Sequence, residues 1–248
     1  MSGHSKWSTI KHKKAKADNK RAKVFTKIGK EIMVAVKLGG PDPEGNSRLK
    51  LILNKARVNN MPGENIKKLI QKASGEGNNS NYEELVYEGY GVGGAAVIVD
   101  VLTDNRNRTA GDIRHIFDKC GGKMGESNSV AWMFDNLGQL SYDLSKIDAD
   151  ALTMAAIEAG ARDVEEEDGM LNVYTEVKDF DTVRTALEEQ GLEPEIAELT
   201  KIPRDSIEIL DMDQARLLVK MMDLLEDNDD VQNTYSNFDF SDEIAGSL

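Results

Sequence analysis

Lys6, Lys11, Lys13, Lys14 and Lys16 crowd the first residues of this chain, and Lys20, Arg21, Lys23 and Lys27 continue the series; Trp7, His4 and His12 set aromatic rings among the cations. The chemistry open to such a composition is to grip a polyanion. Each Lys that neutralises a phosphate releases condensed counterion, so affinity is salt-dependent and blind to base sequence, while interleaved rings can stack on bases. Residues 3 to 30 hold ten Lys and Arg against one acid, Asp18. Four other readings compete: a solvated tail, an anionic membrane surface, Trp7 pinning the segment onto a helical bundle, and a mitochondrial transit peptide. The excess of Lys over Arg and the capped helix that follows argue against a transit peptide, and membrane binding would need that helix to keep its apolar arc free.

A second polar stretch, TDNRNRT (103–109), places Arg106 and Arg108 where a strand hands over to a helix. Exposed guanidinium forks there can hold phosphate or a partner's carboxylates. Equally, Asp104, Asn105 and Asn107 can satisfy turn amides while the arginines pair with acids of a neighbouring lobe. GYGVGG (89–94) has dinucleotide-fingerprint spacing through Gly89, Gly91 and Gly94, but the strand AAVIVDVLT (95–103) follows where a phosphate-binding helix N-terminus is required, so a hairpin-type turn is expected. Phosphate-loop, nucleophile-elbow and zinc-type patterns are missing, and Cys120 with His115 makes only two ligands, so neither a metal nor a cofactor is expected. The run DVEEED (163–168) reads as a solvated acidic surface. With three His and no nucleophile–base pair in sequence context, the chain is expected not to be an enzyme, although groups that meet only in space escape such a reading.

Positioning these groups falls to elements the patterning outlines. The 248 residues suffice for roughly two or three domains. A lone cysteine, no long apolar run and no secretory signal point to the cytoplasm. Net charge is −13, but residues 1–75 hold 18 of the 31 Lys and Arg and only 5 of the 44 Asp and Glu, a net of +13, leaving −26 for the rest. The sign changes at SGEGNNSN (74–81), a linker-like boundary. Before it, a helix capped by Asp18 or Asn19 and ended by Gly39 and Gly40 carries Val24, Phe25, Ile28, Ile32, Ala35 and Val36 on one arc, with Lys20, Lys23, Lys27, Lys30 and Lys37 opposite. Two further stripes, Leu49/Ile52/Leu53/Ala56 and Ile66/Leu69/Ile70/Ala73, complete a small bundle. Beyond it, strands are expected at 95–103 and 129–135, with a helix between them over Thr109–Lys119, Thr109 and Asp112 having capping-box spacing. Another strand and helix follow in 170–191, then a strand at 194–202. The final helix and polar strand (211–240) cannot form a core alone and should complete an earlier sheet.

Several segments, GHSKW (3–7), IKHKKA (10–15), GGPDP (39–43), NMPGENI (60–66), TDNRNRT (103–109), GESNSVAWMF (125–134) and DDVQNTYSNF (229–238), resemble the YebC family, which also includes the mitochondrial translational activator of cytochrome c oxidase. The resemblance implies an α+β multidomain fold: a basic helical domain over 1–78, an α+β domain formed by 79–137 with 206–248, and a further α+β domain, 138–205, inserted in it. The two lobes would be α/β sandwiches of ferredoxin-like type. It also implies a non-enzymatic regulator of gene expression, either a DNA-binding transcriptional regulator or a ribosome-associated translation factor that contacts ribosomal RNA and tRNA and relieves stalling at proline-rich stretches.

Overall fold

The computed structural model describes residues 18–75, 81–167 and 169–247, with backbone alone at 18–21 and 242. Helices α1 (Asp18–Gly39), α2 (Ser47–Val58) and α3 (Gly63–Ser74) form the expected bundle. Ile28, Ile32, Ala35 and Val36 of α1 meet Leu49, Ile52 and Ala56 of α2 and the buried Met61, with Ile66, Leu69 and Ile70 of α3 packed against them. Asn46 joins two of these helices. Its Oδ1 caps α2 by accepting from Leu49 N at 3.0 Å, while its Nδ2 donates to Ala35 O and Gly40 O, the trailing carbonyls of α1. Gly40, at φ +84°, lets the chain leave α1 in the left-handed region.

Strands β1 (Glu83–Tyr90), β2 (Ala96–Thr103), β3 (Lys123–Met124) and β9 (Val231–Ser236) form an antiparallel sheet in the order β3-β1-β2-β9. GYGVGG makes the hairpin between β1 and β2, closed by Tyr90 opposite Ala96, with Gly93 and Gly94 at positive φ. Strand β2 is buried on both faces, which explains its nearly unbroken apolar run. On one side Val97, Val99 and Val101 meet Ile113 and Phe117 of α4 (Arg106–Lys119) and Leu218, Met222 and Leu225 of α7 (Met212–Asp227). On the other, Ala96 and Ile98 meet Val130 and Phe134.

Between β3 and α7 the chain builds a second antiparallel sheet, β5-β6-β4-β7, from β4 (Phe134–Asp143), β5 (Asp163–Glu167), β6 (Met170–Glu176) and β7 (Ile196–Pro203). Helices α5 (Ala149–Ala159) and α6 (Phe180–Glu189) pack on it through Leu152, Ala156, Phe180, Val183 and Leu187. A short parallel pair, β8 (Ile207–Ile209) and β10 (Phe238–Phe240), and the terminal turn of helix α8 (Asp242–Ala245) close the structure. Helix α7 and β9 do complete the sheet begun far earlier in sequence, as their inability to form a core alone demands.

Two local expectations are corrected, and a third is given its element. The strand expected at 129–135 begins only at Phe134, the first residue of β4: a 3-10 turn (Ala131–Met133) precedes it, because the Glu88 carboxylate takes the N–H groups of Asn128, Val130 and Ala131 at 2.7 to 2.8 Å and denies them to a ladder. The acidic run 163–167 is the edge strand β5, whose row of carboxylates discourages further strand pairing. Helix α4 starts three residues early, at Arg106, because Asn105 Oδ1 caps it by accepting from Arg108 N at 3.1 Å.

Candidate nucleic-acid interface

The basic side of α1 is read best from its heptad-spaced lysines. Lys23, Lys27 and Lys30 project toward the C-terminus of α7, where helix geometry leaves carbonyls without intrahelical partners and the macrodipole is negative. Lys23 Nζ lies 3.1 Å from Asp227 O and 3.0 Å from its carboxylate. Lys27 Nζ donates to Glu226 O at 2.6 Å, and Lys30 Nζ to Asp229 O at 2.8 Å and Asp230 Oδ1 at 2.7 Å. Burial pushes the Lys27 ammonium down to about 8, against the opposing pull of Glu226 and Asp229.

Asp230 is the centre of this contact. Its carboxylate accepts from Lys30 of α1, from Arg108 Nη2 at 2.8 Å, from Thr109 Oγ1 at 2.7 Å and from Thr103 Oγ1 at 3.2 Å. Burial alone would raise its pKa, but the hydrogen bonds from Arg108, Lys30 and Thr109 win and hold it well below the usual carboxylate range. One side chain thus joins the helical lobe, the sheet and α4.

The thirteen residues expected to touch nucleic acid divide accordingly. Lys6, Trp7, Lys11, His12, Lys13, Lys14 and Lys16 lie outside the described residues, as do the side chains of Lys20 and Arg21 on the first turn of α1. Lys23 and Lys27 are given to α7, so the basic arc of α1 is here an internal contact surface. The even choice offered by the two arginines resolves differently for each. Arg108 pairs with Asp230 and, at 3.0 Å, with Asp104. Arg106 is exposed and makes no ion pair among the described residues.

Free positive charge lies instead on α2 and α3, which the sequence reading left out. Lys50, Arg57, Lys68 and Lys72 are exposed and unpaired among the described residues; Lys67 lies 3.7 Å from Glu64 in an exposed i,i+3 pair. Asn65 and Gln71 of helix α3 are also exposed, each three residues from Lys68. Amide side chains can bond bidentately to adenine edges, and Lys can reach guanine O6 and N7. Residues 59–62, with Asn60 left-handed at φ 57° and Met61 buried, join α2 to α3 through a connection of helix-turn-helix length. The available signal was the polar side of α3, opposite the stripe Ile66, Leu69, Ile70 and Ala73.

A cleft of about 420 Å3 separates α2 from β7. Its lining includes Glu31, Lys55, Glu195 and Glu198 but no His, Cys, Ser or Thr. No group of three or more His, Cys, Asp or Glu among the described residues is arranged to hold a metal ion, and no described helix is long and apolar enough to cross a membrane.

Fold and site together define an α+β protein that carries a compact basic helical lobe clamped to antiparallel sheets. Residues 5–76 match the family profile described as the TACO1/YebC protein N-terminal domain, and residues 82–238 that of the TACO1/YebC second and third domain. The chain belongs to the TACO1/YebC family. A relative from Trichlorobacter lovleyi is 57% identical over 241 residues and one from Desulfitobacterium hafniense 52% over 247, covering 97% and 98% of each chain respectively; both are named "Probable transcriptional regulatory protein". The crystal structure of a conserved hypothetical protein from Aquifex aeolicus is 40% identical, with a TM-score of 0.83 over 93% of this chain and 95% of that one.

Proposed function

We propose that this protein is a non-enzymatic, cytoplasmic regulator of gene expression that binds DNA through its helical lobe. The observation that carries the reading is the exposed side of α3, where Lys68 and Lys72, without an ion pair among the described residues, lie near Asn65 and Gln71. In this reading α3 meets base edges, Lys50 and Arg57 meet phosphates, and the lysines of residues 6–16, with Trp7, His12, Lys20 and Arg21, grip the backbone nearby. Arg106 is a further phosphate contact. Lys23, Lys27 and Arg108 act indirectly, holding the lobe in place. The relatives' names support the regulatory role. We assign the domain limits as 1–78, 79–137 with 206–248, and 138–205, and read the two sheet lobes as ferredoxin-like sandwiches.

One observation favours the translational alternative, contact with ribosomal RNA or tRNA: two exposed aromatic rings, Tyr90 and Trp132, suit unpaired bases better than a duplex. Sedimentation of cell extract at low and moderate salt separates the two. A free pool that gives saturable promoter footprints supports the DNA reading; co-migration with ribosomes at both salts overturns it in favour of the alternative.

A further inference from the structure

Tyr90, the last residue of β1, and Trp132, in the 3-10 turn before β4, keep 36% and 64% of their surfaces exposed. Their polar ends share one acceptor. Tyr90 OH donates to Ser129 O at 3.1 Å, and Trp132 Nε1 donates to the same carbonyl at 3.2 Å. Ser129 is held between amides that the buried Glu88 carboxylate grips, those of Asn128, Val130 and Ala131. Asn128 is itself left-handed, at φ 66°. Both rings are therefore anchored to a braced turn with their hydrogen-bonding capacity spent inward, leaving apolar faces toward solvent. Neither exposed face is needed for a core.

The surrounding charge points to the occupant. Lys123 stands directly across the β1–β3 pair from Tyr90, on the same face of the sheet. It is exposed and makes no ion pair among the described residues, although the chain as a whole carries −13 and the 125–129 turn holds Glu126. We infer that Tyr90 and Trp132 form a stacking platform for unpaired nucleobases, with Lys123 meeting a phosphate of that single strand. Base–aromatic stacking tolerates any sequence, because every base has a π face, and it requires bases freed from a duplex. The platform rests on the nucleic-acid reading above and adds a contact on the sheet, separate from the helical lobe.

The chain's two tryptophans, Trp7 and Trp132, make the test separable. In the full chain, Trp7→Phe leaves Trp132 as the reporter of the platform, and Trp132→Phe leaves Trp7 as the reporter of the N-terminal segment. Each variant is titrated with a single-stranded oligonucleotide and with the matching duplex while fluorescence and affinity are followed. The proposal expects Trp132 to be quenched by the single strand and not by the duplex, with Trp7 responding to both. Trp132→Ala should weaken single-strand affinity about tenfold, in keeping with one lost stacked base, and spare the duplex. A Trp7 response with Trp132 silent, or with Trp132 answering both ligands alike, overturns the platform while the broader reading stands. Absence of binding by either ligand at low salt overturns both.

Discussion

Lysines of the helical lobe live in two contrasting places. On α1, Lys23, Lys27 and Lys30 are consumed by the C-terminus of α7 and by Asp230. On α2 and α3, Lys50, Arg57, Lys68 and Lys72 are exposed and make no ion pair among the described residues. Both sets look alike in sequence, as cations on the polar arc of amphipathic helices. What separates them is what the other domain presents: a helix end rich in unsatisfied carbonyls attracts ammonium groups as a phosphate would, so the protein satisfies its own clasp first. Positive charge on a helix can therefore be spent on an internal contact, and only the fold tells when it is.

The contrast can be broken at three levels. The largest effect is expected at Asp230, where the Lys30 and Asp230 side chains are only 13% and 9% exposed. Asp230→Ala leaves that ammonium buried without its partner and should lower stability by about 3–5 kcal/mol in urea unfolding. Because the native carboxyl titrates below its unfolded value of about 3.9, its contribution is present above that pH and is lost as pH falls further, so the variant should also show a shallower acid limb. A change within about 0.5 kcal/mol would mean the clasp is surface decoration.

Lys27 gives the next effect, and a sign. Its native pKa of about 8 lies below the ordinary 10.5, so between those values the unfolded chain holds the proton more often and stability rises with pH. Lys27→Met should remove that rise and shift stability at pH 7 by about 1 kcal/mol or less, since a hydrophobe can replace a desolvated charge with little loss. Unfolding measured at pH 7, 8, 9 and 10 checks it; parallel pH profiles for the two proteins would contradict the assignment.

The smallest effect on stability belongs to the exposed set. Changing Lys50, Arg57, Lys68 and Lys72 to Gln should move stability by no more than about 0.5 kcal/mol per site. The same variant should flatten the dependence of log affinity for duplex DNA on log salt by about 0.9 for each lysine or arginine that meets a phosphate. If it unfolds the lobe while leaving DNA affinity intact, the roles assigned to the two lysine sets are reversed.

Much of the frame was legible because its causes are local or periodic. The stripes of α1 to α3 follow from 3.6-residue spacing, the β1–β2 hairpin from glycines followed by a strand, and the return of α7 and β9 to an earlier sheet from the absence of a core partner. What was missed depends on distant partners. Nothing near Lys27 in sequence announces Glu226, and nothing near Thr109 shows that its hydroxyl turns inward to Asp230 while Asn105 takes the cap. Residues 129–133 have a strand's composition, yet Glu88, some forty residues upstream, claims the amides of Val130 and Ala131. The polar side of α3 is readable from its spacing, opposite the stripe Ile66, Leu69, Ile70 and Ala73.

The central claim is that this acidic protein meets nucleic acid through a basic lobe whose leading segment carries most of the phosphate contact. Salt titration of full-length protein on duplex DNA, beside a form lacking residues 1–17, tests it most directly. If about six phosphates are neutralised, log affinity should fall against log salt with a slope near −5, and the shortened form should bind far more weakly with a much shallower slope. A flat salt response in the full chain, or equal slopes for the two proteins, would contradict the account.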